Sequence, residues 1–172
     1  MCADQSWPPP AEVGGAAFRP AVARLAGGTA RFLLGEWNVV REVRDHRSGK
    51  TGAFRGTARL GPEPGDDAGV ALSYRELGEL TFGGHHGPAS RSLSYRERPD
   101  GAAEVRFADG RPFYQLDLRA GHCRAEHLCG ADRYLVSVRV LSDDSFTEMW
   151  RATGPAKDYE MTTTYVRTGS QQ

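Results

Sequence analysis

Several features are scarce in this 172-residue chain, and each absence removes a class of protein. Its three cysteines (Cys2, Cys123 and Cys129) are too few for the disulfide framework of a small secreted domain and fit a reducing compartment. The apolar runs are only a few residues long, whereas a membrane-spanning helix needs about 20. The 22 basic and 22 acidic side chains cancel, whereas a general nucleic-acid-binding protein carries a basic excess. Asp4 and Glu12 interrupt the start of the chain, which therefore lacks the apolar core of a secretory signal. We expect a cytoplasmic protein that binds neither membrane nor nucleic acid.

Turn-forming residues, by contrast, are abundant, with 21 glycines and 10 prolines. From Gly35 onward, short alternating segments recur at intervals of 10–12 residues, each bounded by Gly, Pro, Asp or Ser. This pattern is typical of antiparallel strands joined by hairpins, and Asp-Gly pairs such as Asp109-Gly110 favour tight hairpin turns. The predicted strands are 36–45, 51–60, 69–77, 89–98, 102–108, 112–119, 122–129, 133–141, 145–153 and 158–167.

About ten short strands in sequence order leave two unpaired edges, and closing the sheet into one barrel removes them. The fold prediction is therefore all-β, a single antiparallel barrel over residues 21–168. A short helix from Thr29, as N-cap, to Leu34 should cover one end of the barrel. Residues 1–20 are proline- and glycine-rich and are predicted to form a disordered tail, and 169–172 a C-terminal tail.

Alternation along the last three strands groups aromatic and polar side chains on one face. Tyr134 shares its face with three valines, and Trp150 shares its face with Glu148. Tyr165 shares its face with Thr163. A lumen of mixed aromatic and polar character is what a ligand-binding barrel needs, because apolar contact supplies affinity and a few polar groups orient the ligand.

The densest collection of reactive groups lies between Asp109 and Tyr134. His127 and Cys129 are two residues apart, so on a strand they point to the same face, about 7 Å apart. A nucleophile with its base, a pair of metal ligands, an acid–base histidine and a structural histidine all remain open. The catalytic candidates are His127 with Asp117 or Tyr134, and no metal or cofactor is predicted.

Arg111 and Asp117 are six residues apart on one predicted strand and would share a face. Arg111 would either clamp an anionic ligand with its planar guanidinium or form a salt bridge at the rim, and Arg41 and Arg75 are similar candidates. The further candidate ligand contacts are Phe113, Arg41, Cys129, Asp132, Trp150 and Tyr165.

Two other motifs are weaker. His85-His86 lies in a predicted loop at 82–88, either over the barrel mouth as metal or haem ligands or free on the surface. Lys157-Asp158-Tyr159 contains the Lys-x-Tyr spacing of some dehydrogenases, but no dinucleotide-binding Gly-x-Gly-x-x-Gly follows a strand, so this segment is interpreted as a turn.

The motif Phe32-Leu33-Leu34-Gly35-Glu36-Trp37 resembles the start of a lipocalin or calycin barrel, where a short helix leads through Gly-x-Trp into the first strand. Together with Asp109-Gly110-Arg111-Pro112-Phe113, His127-x-Cys129-x-x-Asp132-x-Tyr134 and Gly154-Pro155-x-Lys157-Asp158-Tyr159, it resembles an uncharacterised lipocalin-like domain of unknown function. That family occurs in bacteria, and in fungi it can be fused to oxidoreductase modules. The resemblance covers about residues 30–168. It implies a calycin-like barrel and brings no catalytic residues.

Three functions fit these observations. The first is an intracellular barrel that binds a small, partly apolar molecule, with Arg111, His127 and Tyr134 as polar contacts. The second is a cofactor-free barrel enzyme such as an isomerase, cyclase or hydratase, in secondary metabolism and with an oxidoreductase as one candidate partner. The third is a packed scaffold whose loops bind protein. The expected assembly is a monomer or homodimer.

Overall fold

The computed structural model of the chain describes residues 22–66 and 71–169. The predicted N-terminal tail at 1–20 and most of the predicted C-terminal tail at 169–172 lie outside these residues. Two short helices, α1 (Val22–Leu25) and α2 (Thr29–Leu33), come first. Ten strands follow: β1 (Gly35–Asp45), β2 (Thr51–Pro62), β3 (Ala71–Phe82), β4 (His85–Glu97), β5 (Ala103–Phe107), β6 (Pro112–Leu116), β7 (His122–Cys129), β8 (Asp132–Ser142), β9 (Ser145–Thr153) and β10 (Asp158–Arg167). No helix of the described residues is long and apolar enough to cross a membrane.

The strands form one antiparallel sheet with the order β6-β5-β4-β3-β2-β1-β10-β9-β8-β7. Each strand pairs with its neighbours in sequence, except that β6 and β7 do not pair with each other. The first strand, β1, also pairs with the last, β10, and this pairing curls the sheet into a nearly closed barrel. The predicted all-β, ten-stranded antiparallel barrel is confirmed.

The two edges of the sheet, β6 and β7, meet along a seam that has no β-ladder. Side-chain contacts cross it instead: Cys123 of β7 accepts a hydrogen bond from the backbone N–H of Asp117 at 3.4 Å. The Cys123 thiol also lies 3.8 Å from the carbonyl oxygen of Gln115 on β6. The seam is therefore held by fewer backbone hydrogen bonds than the rest of the wall.

One predicted loop is wrong. The segment 82–88 was expected to be long, but β3 continues to Phe82 and β4 starts at His85. The turn consists of Gly83 (φ 56°) and Gly84 (φ 89°), and a two-residue hairpin turn of this kind needs positive φ at both positions. His85 and His86 therefore begin a strand, where both are exposed.

One end of the barrel is sealed by α2. Phe32 is fully buried, and its ring lies 5.9 Å from the rings of Trp37 and Phe146. The Trp37 indole N–H donates to the carbonyl oxygen of Leu33 at 2.9 Å. Arg167 stacks 4.1 Å from the Trp37 ring and donates to the carbonyl oxygens of Phe32 and Leu34, which satisfies acceptors at the end of α2. The helix thus closes this end of the barrel, as predicted.

The prediction that Thr29 is the N-cap of this helix is wrong. Gly28 occupies the N-cap position, and no side chain caps the helix. The Thr29 hydroxyl instead accepts a hydrogen bond from the N–H of Leu118 at 3.0 Å. Thr29 therefore ties the helix to the β6–β7 connection, a long-range contact that local sequence does not reveal.

No helix of residues 22–66 or 71–169 covers the opposite end of the barrel, called the mouth below. The strand registers place a set of half-buried residues there: Leu80, Ala89, Phe107, Phe113, Ala125, His127, Tyr134 and Met161. The fully buried core lies between the mouth and α2. This asymmetry leaves one face of the barrel interior able to meet solvent.

Candidate functional site

A layer of charged and hydroxyl side chains crosses the barrel interior, between the mouth and the apolar core. We call it the polar belt. It consists of Arg41, Tyr74, Glu76, Arg91, Tyr114, Glu148, Trp150, Thr163 and Tyr165. Alternation places each of these side chains inward, because they belong to the inward residues of β1, β3, β4, β6, β9 and β10.

The ion pair between Arg41 and Glu76 has short hydrogen bonds and a regular geometry. The two terminal guanidinium nitrogens of Arg41 donate to the two carboxylate oxygens of Glu76 at 2.8 and 2.7 Å. The Arg41 Nε donates to the hydroxyl of Thr163 at 2.9 Å. Every N–H-bearing nitrogen of Arg41 therefore has a short partner, and its side chain is only 11% exposed. This geometry is that of a structural, bidentate buried pair.

Glu148 is the second buried carboxylate and collects three donors. Trp150 donates its indole N–H at 2.7 Å, Tyr165 its hydroxyl at 3.1 Å and Tyr114 its hydroxyl at 3.4 Å. Because two of these residues are aromatic neighbours on β9 and β10, the carboxylate orients the rings around it. The three hydrogen bonds therefore fix the orientation of the Glu148 carboxylate, which accepts all of them.

The tyrosines of the belt are neutral donors at ordinary pH. Burial raises the pKa of Tyr74 to about 12; the Arg91 cation opposes this rise and the neighbouring Glu76 carboxylate supports it. The Tyr74 hydroxyl donates to Glu76 at 2.5 Å. Burial also raises the pKa of Tyr165 well above its ordinary value. Both hydroxyl hydrogens are engaged by carboxylates, so their oxygens, 3.3 Å apart, are left as acceptors.

Arg91 is held more loosely than Arg41. Its Nη2 lies 3.5 and 3.4 Å from the hydroxyls of Tyr74 and Tyr165. It lies 3.7 Å from Glu76 and 4.0 Å from Glu148. The Nε is buried and has no hydrogen-bond partner in the described structure. Arg91 thus bridges the two halves of the belt with long contacts.

Above the belt, aromatic rings line one side of the mouth. Phe113 of β6 stacks between Phe107, with centroids 4.2 Å apart, and Trp150, with centroids 5.1 Å apart. The His127 ring meets both phenylalanine rings edge-on, at 5.8 and 5.0 Å. These contacts reach across the β6–β7 seam. The aromatic stack therefore closes the seam at the mouth.

Tyr134 lies directly opposite His127 on the β7–β8 ladder, with ring centroids 6.1 Å apart. The Lys157 ammonium donates to the Tyr134 hydroxyl and to Asp132, which is 2.7 Å away. These hydrogen bonds to Asp132 and Tyr134 raise the pKa of Lys157 above its ordinary value, so the amine stays protonated. His127, Tyr134 and Asp132 are thus brought together at the rim.

Asp117 does not join them. It forms a 2.6 Å ion pair with Arg119 just beyond the end of β6, beside the first residues of β7. His127 is four residues further along β7 than Cys123, or about 13 Å at the usual strand rise. The hydrogen bond from Arg119 lowers the pKa of Asp117, although burial opposes this. The predicted strand 112–119 ends early, at Leu116, because the chain turns at Ala120-Gly121 to reach β7.

Arg111 and Cys129 are exposed. Arg111 lies in the β5–β6 turn, 74% exposed, paired with Asp109 at 2.7 Å and stacked over the Phe107 ring. Cys129 ends β7. Arg75, the third arginine considered, is exposed on the outer face of β3. The inward charged residue of β3 is therefore Glu76 and not Arg75.

The sequence interpretation missed Glu76, Arg91 and Tyr74 as candidate site residues. The signal was present in β3, where Leu72, Tyr74, Glu76 and Leu80 alternate. The predicted strand 69–77 contains Tyr74 and Glu76, but the charged residue singled out from it is Arg75, which faces outward. Glu148 and Thr163 were recognised as inward polar residues, and their burial confirms this.

Little space remains inside the barrel. A cavity of about 10 Å³, enough for about one water molecule, lies between the belt and the core. Its polar lining consists of Tyr74, Tyr95, Tyr114, Glu148 and Tyr165. Among the described residues, no group of three or more His, Cys, Asp or Glu side chains could hold a metal ion. A ligand larger than water therefore does not fit this cavity.

Comparison with solved structures shows similar barrels. An S-type phycobiliprotein lyase from Guillardia theta is 12% identical with a TM-score of 0.59, covering 83% of this chain and 92% of that one. A protein of unknown function of the DUF3598 family from Nostoc punctiforme is 16% identical with a TM-score of 0.55, covering 87% of this chain and 51% of that one. A de novo designed fluorescence-activating β-barrel is 18% identical with a TM-score of 0.43, covering 81% of this chain and 96% of that one.

At these identities the first two similarities establish the barrel fold alone. A comparison with curated proteins finds no match. The sequence itself matches a family described as "Family of unknown function (DUF6314)" over residues 33–167, which is most of the chain. The chain therefore belongs to the DUF6314 family.

Proposed function

We propose that the protein binds a small, partly apolar molecule at the mouth of its barrel. The observation that carries this proposal is the asymmetry of the interior. One end is sealed by α2, while the other presents half-buried apolar and aromatic side chains directly above a charged belt. A ligand site commonly combines such a concave apolar surface with a few convergent polar groups.

The ligand would occupy the mouth beside Phe113, His127 and Tyr134, with Trp150 beneath. Because the interior is nearly filled, a deeper position requires Phe113 to move away from Trp150. Phe113 belongs to β6, an edge strand of only five residues without a ladder to β7. Moving the β5–β6 hairpin away from the barrel therefore breaks fewer backbone hydrogen bonds than moving an inner strand of the wall.

Among the other predicted ligand contacts, Arg41 and Tyr165 lie in the polar belt and would affect ligand binding by fixing the geometry of the belt. Arg111, Cys129 and Asp132 would contact only a ligand that extends over the rim. The phycobiliprotein lyase is, by its name, a protein that acts on phycobiliproteins. Its similarity supports a barrel of this kind and leaves the ligand of the present protein to be found by experiment.

A neutral fluorescent probe tests the proposal. N-phenyl-1-naphthylamine should bind the mouth with an increase in its emission, and the Ala89→Phe variant should abolish this increase by filling the mouth. Ser90→Phe, whose side chain points outward from the adjacent position of β4, is the matched control and should bind like the wild type. Equal binding by both variants, or no binding by the wild type, would contradict a mouth site.

A cofactor-free enzyme on the same barrel is the second candidate. His127 and Tyr134 face each other at the mouth, and Lys157 donates to the Tyr134 hydroxyl, so groups able to move protons adjoin the proposed site. Any compound that co-purifies with the protein, detected by native mass spectrometry, can be incubated with it in deuterated water. Protein-dependent deuterium incorporation that is lost in Tyr134→Phe would support the enzyme, and no incorporation would support simple binding.

We also propose a cytoplasmic location, because Cys129 is exposed as a free thiol, which suits a reducing compartment. An oxidoreductase partner, the absence of nucleic-acid binding and a monomeric or dimeric state stay predictions. Size-exclusion chromatography with light scattering measures the last directly.

A further inference from the structure

We propose that the ligand carries a single negative charge, as a carboxylate does, and that Arg91 binds it. This inference rests on the proposed function, since it assumes that a small molecule enters the mouth. It is carried by a contrast between the two arginines of the polar belt, by an unpaired donor and by the shape of the wall above it.

The two arginines have opposite environments. Arg41 places three nitrogens on partners between 2.7 and 2.9 Å and is 11% exposed. Arg91 makes all its polar contacts through Nη2, at 3.4 Å or more, and its side chain is 29% exposed. A charged donor gains most from short, aligned hydrogen bonds, so Arg91 has unused capacity and Arg41 has none.

The Nε of Arg91, which has no partner among the described residues, is a second difference between the two arginines. A buried donor without a partner is destabilising, and native structures contain few of them. The guanidinium is held only by long contacts, so a small rotation toward the mouth sacrifices little. An anion above Arg91 would then accept hydrogen bonds from nitrogens that the protein leaves unused.

Above Arg91, the inward residues of β4 toward the mouth are small. Arg91 points into the barrel opposite Glu76, and the next inward residues of β4 toward the mouth are Ala89 and Gly87. Ala89 pairs with Gly78 of β3, whose inner face is occupied by the Phe54 ring, 2.6 Å from the position of a Cβ, so the strip of small residues runs along β4 alone. Arg91 faces inward and its side chain is 29% exposed, and we take this strip as the route by which a ligand reaches it. The strip leads from the rim to the guanidinium.

The neighbouring charges limit what can bind. Glu76 and Glu148 approach only the Nη2 side of Arg91, at 3.7 and 4.0 Å. A ligand anion must therefore take the remaining nitrogens and stay on the mouth side. Two carboxylates behind the guanidinium disfavour a dianion such as a phosphate monoester, and they favour a monoanion attached to an apolar, aromatic body.

A matched pair of probes tests this inference. 2-Naphthoate and 2-naphthamide have the same ring and differ in charge, and isothermal titration calorimetry measures both. We expect the wild type to bind naphthoate about 10-fold or more tightly than the amide, because a charge-assisted hydrogen bond increases affinity by about this factor. Arg91→Gln should remove this preference while the affinity for the amide changes little. Arg75→Gln, on the outer face of β3, should leave both affinities unchanged.

The outcomes separate the two proposals. Equal binding of both probes by the wild type would overturn the anion inference and leave the mouth site standing. Binding of neither probe would overturn both. If Arg91→Gln fails to give a native near-ultraviolet circular dichroism spectrum, Arg91→Lys keeps the positive charge but loses the planar fork. That variant should weaken naphthoate binding alone, and unchanged naphthoate binding would count against Arg91.

Discussion

The Arg41–Glu76 pair offers the sharpest test of how the barrel interior is held. Arg41→Met keeps much of the side-chain volume but removes the charge, and Glu76, only 2% exposed, loses both of its short guanidinium contacts. Breaking a buried pair from one side costs about 3–5 kcal/mol, because a charge is left without compensation. Arg91 remains 3.7 Å from Glu76 and Tyr74 still donates to it, so we expect the lower end, about 3 kcal/mol.

The assay is urea unfolding followed by tryptophan fluorescence, with thermal unfolding alongside. For a chain of this size a loss of about 3 kcal/mol corresponds to a melting temperature lower by about 6–12 °C. Arg75→Met is the matched control, since Arg75 lies on the solvent-facing side of β3, and it should change the unfolding free energy by less than about 0.5 kcal/mol.

The pH dependence of the loss adds a second criterion. Burial acts to raise the pKa of Glu76, but the hydrogen-bonded Arg41 and the nearby Arg91 outweigh it and hold the pKa below its ordinary value of 4.5. The carboxylate of the wild type therefore contributes stability above that value, which is lost as the pH falls through the lowered pKa. In Arg41→Met burial is less opposed, so protonation of Glu76 relieves the unpaired charge. The difference between the two proteins should be largest near neutral pH and shrink toward pH 4.5.

A loss below about 1 kcal/mol at neutral pH would refute the reasoning, because it would mean that Glu76 is not a desolvated charge in need of Arg41. A loss that grows as the pH falls would also refute it. In the double variant Arg41→Met/Glu76→Gln, part of the stability should return, since the amide leaves no buried charge behind.

Three further predictions concern other parts of the barrel. Phe32→Ala should lower the unfolding free energy by about 3–5 kcal/mol in urea titrations, because Phe32 is fully buried where α2 seals the barrel, and a loss under about 1 kcal/mol would show that the helix is dispensable. Gly78→Ala should destabilise the protein in the same assay, since a Cβ there would lie 2.6 Å from the Phe54 ring and 2.3 Å from a backbone oxygen of β2; wild-type stability would contradict the close strand packing. Asp117→Asn should change stability by less than about 1 kcal/mol and leave naphthoate binding intact, because Asp117 pairs with Arg119 away from the mouth, and a loss of binding would restore its predicted role.

Much of the fold followed from local sequence. Turn residues and two-residue alternation predicted the strands with small errors at their ends, because a hairpin is a local structure and its signals lie in the residues that form it. The loop at 82–88 was the exception. Its two glycines at positive φ allow the tightest turn, and their presence in a longer glycine-rich segment concealed this.

The site was predicted less completely, and the reason differs from residue to residue. Arg41, Trp150 and Tyr165 are predicted ligand contacts, and they lie in the polar belt. Arg111 was chosen by motif, but it stands in a turn and pairs with Asp109, two residues away. Arg91 was not considered, because nothing in the sequence around it differs from that of any outward-facing arginine.

The sequence by itself determined the all-β class, the strand order and the mixed character of the inner face, since these depend on spacing within single strands. The tertiary structure decided which charges meet. Arg41 and Glu76 are 35 residues apart, and Arg41 and Thr163 are 122 apart. Their contacts depend on how β1 pairs with β10 and how far the sheet curls. The curvature and closure of the sheet bring inward residues that are distant in sequence to the same height along the barrel axis. No local sequence pattern encodes that height.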